Sequence, residues 1–119
     1  MLQTNLKHIL SAKDHAETLK ENGNVMVCCG RMGPMCIPVY AVMQELQSKY
    51  PHVAFRDMEF DSPDAALIRN LPECREFRGL PFTVYYRNGN VVRATSSIQS
   101  RDEVTAILDA EFAAKGAAV

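Results

Sequence analysis

The sequence lacks the features that mark several broad classes of protein. No apolar run approaches the length needed to span a bilayer. The opening residues, Met1-Leu2-Gln3-Thr4-Asn5-Leu6-Lys7-His8, have neither the basic start nor the long apolar stretch of a secretion signal. A cytoplasmic location with no membrane contact is therefore expected. A formal net charge of -1 gives no electrostatic case for nucleic acid or an anionic surface as partner. Four cysteines are too few for a scaffold held by disulfides. Phosphate-binding loops, a nucleophile–His–Asp arrangement and a convincing carboxylate pair are all missing, and no cofactor is implied. No spacing fits an established zinc or iron–sulfur pattern, and His8, His15 and His52 lie far from the clustered cysteines. No repeat, low-complexity tract or linker interrupts residues 1–119, which read as a single domain.

What is present has the character of an ordinary globular chain: 119 residues, 47% apolar and 23% charged, enough for one core. Its unusual feature is sulfur. Cys28, Cys29 and Cys36 cluster around Met32-Gly33-Pro34-Met35, with Cys74 further on. Clustered cysteines in a reducing compartment point to redox chemistry or metal rather than to structural bridges.

Local signals order the elements. Ser11 with Asp14 resembles a capping box and opens a helix through Glu21, stopped by Gly23. Val25 to Cys29 is a short apolar run bounded by turn residues, which suits a buried central strand. Pro34 fits the first position of the next helix, where its missing N–H is harmless. Pro38 then falls inside that helix and predicts a kink. Val53 to Phe60 reads as a strand, although its alternation breaks at Asp57-Met58. Ser62-Pro63-Asp64 opens a short helix through Asn70. Phe82–Arg87 and Asn90–Thr95 flank Asn88-Gly89, a strong hairpin signal. Ser100 with Glu103 is a second capping box, opening a final helix with Val104, Ile107, Leu108 and Phe112 on one stripe. Tyr85 and Tyr86 alternate in their strand, which predicts one in the core and one outside. His15 is expected at the surface.

With Leu6 to Leu10 read as a short first strand or an entry segment, the resulting order is βαβαβα, a hairpin and a closing helix, which predicts an α/β fold: a three-layer α/β/α sandwich on a mixed sheet. This order, the strand-turn-helix around Gly33-Pro34, and Gly79-Leu80-Pro81 running into the Asn-Gly hairpin together resemble the thioredoxin family. The resemblance extends from about Leu6 to Phe112. It implies a cis-proline loop at Pro81 facing the redox loop, and docking of an extended substrate segment beside it. It also implies protein or peptide partners carrying a disulfide or an extended segment, with a thioredoxin-reductase-like donor as one source of electrons. Laid on the family without a gap, Met32 and Met35 replace the two cysteines of Cys-Gly-Pro-Cys. Arg31 replaces a tryptophan, and Met26 replaces a buried acidic residue. About five extra residues surround Asn70-Leu71-Pro72-Glu73-Cys74. A thioether cannot form a disulfide, so exchange by the family's usual pair is excluded.

Displaced thiols remain available. Cys36, in the first turn of its helix, is a plausible thiolate. Cys29 across the turn is the expected partner, and Cys28 on the opposite side competes for that role. Set against this, Cys28 and Cys29 also suit a core as small apolar residues. Met32, Gly33, Pro34, Met35, Leu80 and Pro81 form the expected substrate surface. An atypical thioredoxin-like exchange protein is thus one reading. A redox-inactive binding or chaperone module on the same surface is the second. A copper(I)-type site using Met32, Met35, Cys36 and Cys28 or Cys29 is the third. Cys74 is a candidate for a redox or regulatory role.

Overall fold

The apolar run near residue 25 becomes the central strand, β2 (Asn24–Gly30), in which every residue from Val25 onward is buried. The structure, a computed structural model, describes residues 2–112. Strand β2 pairs in parallel with β3 (Ala54–Glu59), and β3 pairs in parallel with β1 (Lys7–Ile9). On its other side β2 pairs antiparallel with β4 (Phe82–Arg87), which pairs antiparallel with β5 (Asn90–Ser96). The sheet order is β1-β3-β2-β4-β5. Helices α1 (Ala12–Glu21), α2 (Ile37–Leu46), α3 (Ala66–Arg69) and α4 (Arg101–Glu111) cover the sheet. This is the mixed α/β sandwich that the element order predicts.

The local signals act much as their chemistry requires. Ser11 Oγ accepts the Asp14 N–H at 3.0 Å, while the Asp14 carboxylate accepts the Leu10 N–H. At α4 both halves of the Ser100–Glu103 capping box form. Asn88 and Gly89 have φ of 52° and 82°, the left-handed pair that a two-residue hairpin turn needs.

Two apolar clusters flank the sheet. Met26, Cys28, Cys36, Tyr40, Met43, Tyr85 and Leu108 belong to the one under α2 and α4. Val25, Val27, Cys29, Ile68, Phe82 and Tyr86 belong to the other, with Leu19 of α1 packed against it. Burial on both faces corrects two expectations. Tyr85 and Tyr86 are both buried, one in each cluster, because neither face of β4 meets solvent. His15 is buried rather than exposed: its Nε2 lies 3.1 Å from the Tyr86 hydroxyl, with the rings edge to face. The same two-sided cover explains the broken alternation in β3, where Asp57 and Met58 are both buried.

The start of α2 also differs from expectation. Residues 34–36 form a turn in which Gly33 C=O accepts the N–H groups of Cys36 and Ile37, and the helix begins at Ile37. Pro34 is therefore upstream of the helix, and Cys36 is its N-cap rather than a first-turn residue. Pro38 lies in the first turn of this helix, where an absent N–H costs nothing.

Candidate functional site

Beside the C-terminal end of β2 the chain forms an open groove of about 430 Å³. One wall is the turn after β2: Arg31, Gly33, Pro34, Met35 and Cys36. The other is Phe60, Phe77 and Leu80. Met32 and Met35 are each 43% exposed, large apolar side chains left in solvent next to it, with Ile37 beyond. Leu80 precedes Pro81 through a cis peptide bond. The expected surface residues Gly33, Pro34, Met35 and Leu80 are thus brought together in one groove lining. Met32 is tied instead to the N-terminal segment, its Sδ accepting the Gln3 N–H at 3.3 Å.

Phe60, Phe77 and Asp61 carry no pattern that marks them in the sequence. The Phe60 ring stacks on Phe77 with centroids 5.6 Å apart, and Phe77 meets Phe82 edge to face. Arg31 and Arg69 both lie against the Phe60 ring, at 5.7 and 5.8 Å. Arg31 also makes a two-pronged bond to Asp61, at 2.7 and 2.8 Å. The hydrogen bonds from this guanidinium hold the Asp61 carboxyl below its usual range. Both partners are more than half exposed, so the pair shapes the rim and adds little stability. Arg69 braces the loop behind it by donating to the carbonyls of Phe60 and Ser62.

The four thiols are free and differ in setting. Cys36 is only 2% exposed, yet it lines the groove. Its sulfur does not cap its own helix; it turns back toward the Arg31 N–H at 3.4 Å. Cys28 lies in the same cluster as Cys36, with Thr83 Oγ1 3.8 Å from its sulfur. Burial pushes the Cys28 thiol well above its ordinary range. Cys29 faces the opposite cluster, and burial pushes its thiol up to about 12 despite the opposing effect of Arg69. The alternation of β2 therefore places Cys28 with Cys36 and separates Cys29 from it, against the pairing expected from the turn. Cys74 sits on the short 3-10 helix Pro72–Glu76 and packs against the Cys29 cluster, its thiol also raised by burial.

Gly30 is the point where these parts converge. A Cβ built on it would stand 2.7 Å from the Tyr40 hydroxyl, 2.9 Å from Cys36 Sγ and 3.2 Å from Pro81 Cβ. The Tyr40 hydroxyl donates to Arg31 C=O at 3.2 Å, fixing α2 against the turn. Among the described residues no group of three or more His, Cys, Asp or Glu side chains is placed to hold a metal ion. No helix among them is long and apolar enough to cross a membrane.

No protein-family profile and no curated protein matches the sequence. Solved structures do match. Thioredoxin f2 of Chlamydomonas reinhardtii is similar at 17% identity over 91% of this chain and 97% of its own, with a TM-score of 0.74. A Plasmodium falciparum thioredoxin is similar at 17% identity over 89% and 99%, with a TM-score of 0.72. Oxidised thioredoxin O2 of Arabidopsis thaliana is similar at 11% identity over 93% and 97%, again with a TM-score of 0.72. At these identities the likeness concerns the fold. The sheet order, the helices on both faces and these neighbours agree: the chain is a thioredoxin-fold protein.

Proposed function

We propose that this protein binds an extended segment of a partner protein in the groove and exchanges disulfides with it through Cys36. The observation that carries this reading is the lining: one thiol, Cys36, set among Pro34, Met35, Phe60, Phe77 and Leu80. An apolar groove with flexible methionine at its lip accommodates varied side chains. The Leu80–Pro81 segment beside it would offer backbone groups to an extended chain.

In the exchange, the Cys36 thiolate attacks one sulfur of a substrate disulfide. That S–S bond breaks, a mixed disulfide forms, and the other substrate sulfur leaves as a thiolate. Cys28, in the same cluster, then attacks Cys36 Sγ, forming a Cys28–Cys36 disulfide and releasing the second substrate thiolate. The substrate gains two electrons and the two cysteines lose them. An external dithiol reductase, of the thioredoxin-reductase type, would return them.

A second reading is a binding module without turnover, on the same surface. The observation in its favour is that Cys28 and Cys29 are fully buried and hard to ionise. A peptide carrying an activated pyridyl disulfide separates the two. The exchange reading expects rapid covalent capture at Cys36, lost in Cys36→Ser while non-covalent binding of the reduced peptide persists. Binding with no capture at Cys36 would leave the second reading, and no binding at all would remove both.

A further inference from the structure

The lining of the groove carries one charged side chain, Arg31, and no carboxylate. The resemblance places a tryptophan at this position, so an apolar ring is exchanged for a fixed cation. The backbone of Arg31 is fastened at the reactive end of the groove. Its N–H points to Cys36 Sγ at 3.4 Å, and its C=O accepts the Tyr40 hydroxyl at 3.2 Å. From that anchor the side chain lays its guanidinium against the Phe60 ring, 5.7 Å from the centroid. The thiol and the cation therefore belong to one groove.

Asp61 leaves part of this cation available. It accepts from Nε and Nη2 of Arg31, and it lies outside the lining. Of the five N–H groups of an arginine, the two on Nη1 stay outside that bond. Both side chains are more than half exposed, so water screens the pair and an incoming carboxylate can share the guanidinium at small cost. Arg69 adds a second positive charge, 5.8 Å from the same ring. Its own bonds go to the backbone carbonyls of Phe60 and Ser62, which leave that charge in place. Phe60 thus carries two guanidinium groups against the one carboxylate of Asp61. Glu59, the next acidic residue along the chain, lines the separate cavity that contains His8.

We infer that Arg31 selects partner segments carrying an aspartate or glutamate two residues from the cysteine that meets Cys36. The inference rests on the groove-binding reading given above and names the kind of segment that the groove takes. In an extended chain alternate side chains share a face, and residues two apart are separated by about 7 Å. A cysteine turned toward Cys36 therefore turns the residue two places away to the same wall, within reach of a long, pivoting side chain. Its carboxylate would meet Nη1 of Arg31 while the apolar part of the segment covers Met35, Phe77 and Leu80. Guanidinium–carboxylate bonds are among the stronger polar contacts, and the Phe60 ring beneath the guanidinium steadies it. A lysine at the same place would meet like charge from Arg31 and Arg69. Arg31 is thus a specificity residue, which discriminates among segments and takes no part in making or breaking bonds.

Three synthetic peptides test this. They share one sequence, with serine in place of the reacting cysteine, and carry Asp, Asn or Lys two residues away on both sides of it. Binding to the parent protein is measured by calorimetry at low and at high salt. The Asp peptide should bind about fivefold tighter than the Asn peptide, the upper range for an exposed ion pair, and the Lys peptide should bind weakest. High salt should shrink the difference. Arg31→Gln should bring the Asp and Asn peptides to equal affinity, because the backbone bonds to Cys36 and Tyr40 remain. Arg31→Lys should restore part of the preference, and Asp61→Asn should widen it by releasing the guanidinium. An arginine that only braced the rim would change the affinity of all three peptides alike. Equal binding of the three by the parent, tighter binding of the Lys peptide, or a preference unchanged in Arg31→Gln would overturn the inference and leave the groove reading standing. No binding of any peptide would overturn both.

Discussion

A methyl group placed on Gly30 would stand 2.9 Å from the sulfur of Cys36. The same methyl would meet the Tyr40 hydroxyl and Pro81 Cβ, so the end of the central strand, the helix and the proline loop all close on one glycine hydrogen. Tyr40 is held by its bond to Arg31 C=O and Pro81 by its ring, which leaves little room to yield. Gly30→Ala should therefore cost about 1–3 kcal/mol, as overpacking of a dense core does. Urea unfolding of the two proteins measures it, and an unchanged midpoint would mean that the site tolerates a wider separation.

Ser100 accepts the Glu103 N–H at 3.1 Å, and Glu103 returns a bond to the Ser100 N–H. Ser100→Ala removes the first bond and should destabilise the protein by about 1 kcal/mol. The groove lies elsewhere, so capture of the pyridyl disulfide peptide should be unaffected.

His15 gives acid sensitivity of a defined sign. Burial lowers its proton affinity below the ordinary value of 6.5, with Asp14 opposing. The folded state therefore resists a proton that the unfolded chain accepts. Above about 6.5 both states are neutral and the effect vanishes. As pH falls below that value stability declines, until the folded-state value is passed. The difference in unfolding free energy between parent and His15→Gln should follow this course, since contributions common to both proteins cancel. A flat difference from neutral pH downward would show that His15 is not protected from protonation.

Met32 and Met35 flank Gly33-Pro34 on the exposed turn. The double substitution Met32→Cys, Met35→Cys should create a reversible disulfide in a protein that folds as before. Intact mass before and after reduction detects the loss of two hydrogens. A folded double variant that never forms the bond would show that the turn holds these positions too far apart.

Much of the fold is legible because its signals are local. Ser11, Asn88-Gly89 and Ser100 each specify a turn or cap through atoms a few residues away, and each forms as its neighbours dictate. The start of α2 is less legible. Two prolines, Pro34 and Pro38, both suit a first turn, and the helix begins at Ile37, just before the second. The site is only half legible. Gly33, Pro34, Met35 and Leu80 of the lining are contiguous or motif-borne, whereas Phe60 and Phe77 join the groove through tertiary stacking. The choice between Cys28 and Cys29 as neighbour of Cys36 turns on the facing of one strand, which a one-residue shift would reverse.

The most direct measurement is a map of the four thiols after equilibration across a range of thiol–disulfide buffers, by differential alkylation and peptide mass. A reversible disulfide between Cys28 and Cys36 is expected, with Cys29 remaining reduced, formed near the potential of the cellular thiol pool. Cys36 remaining a thiol under all conditions would contradict exchange at this site.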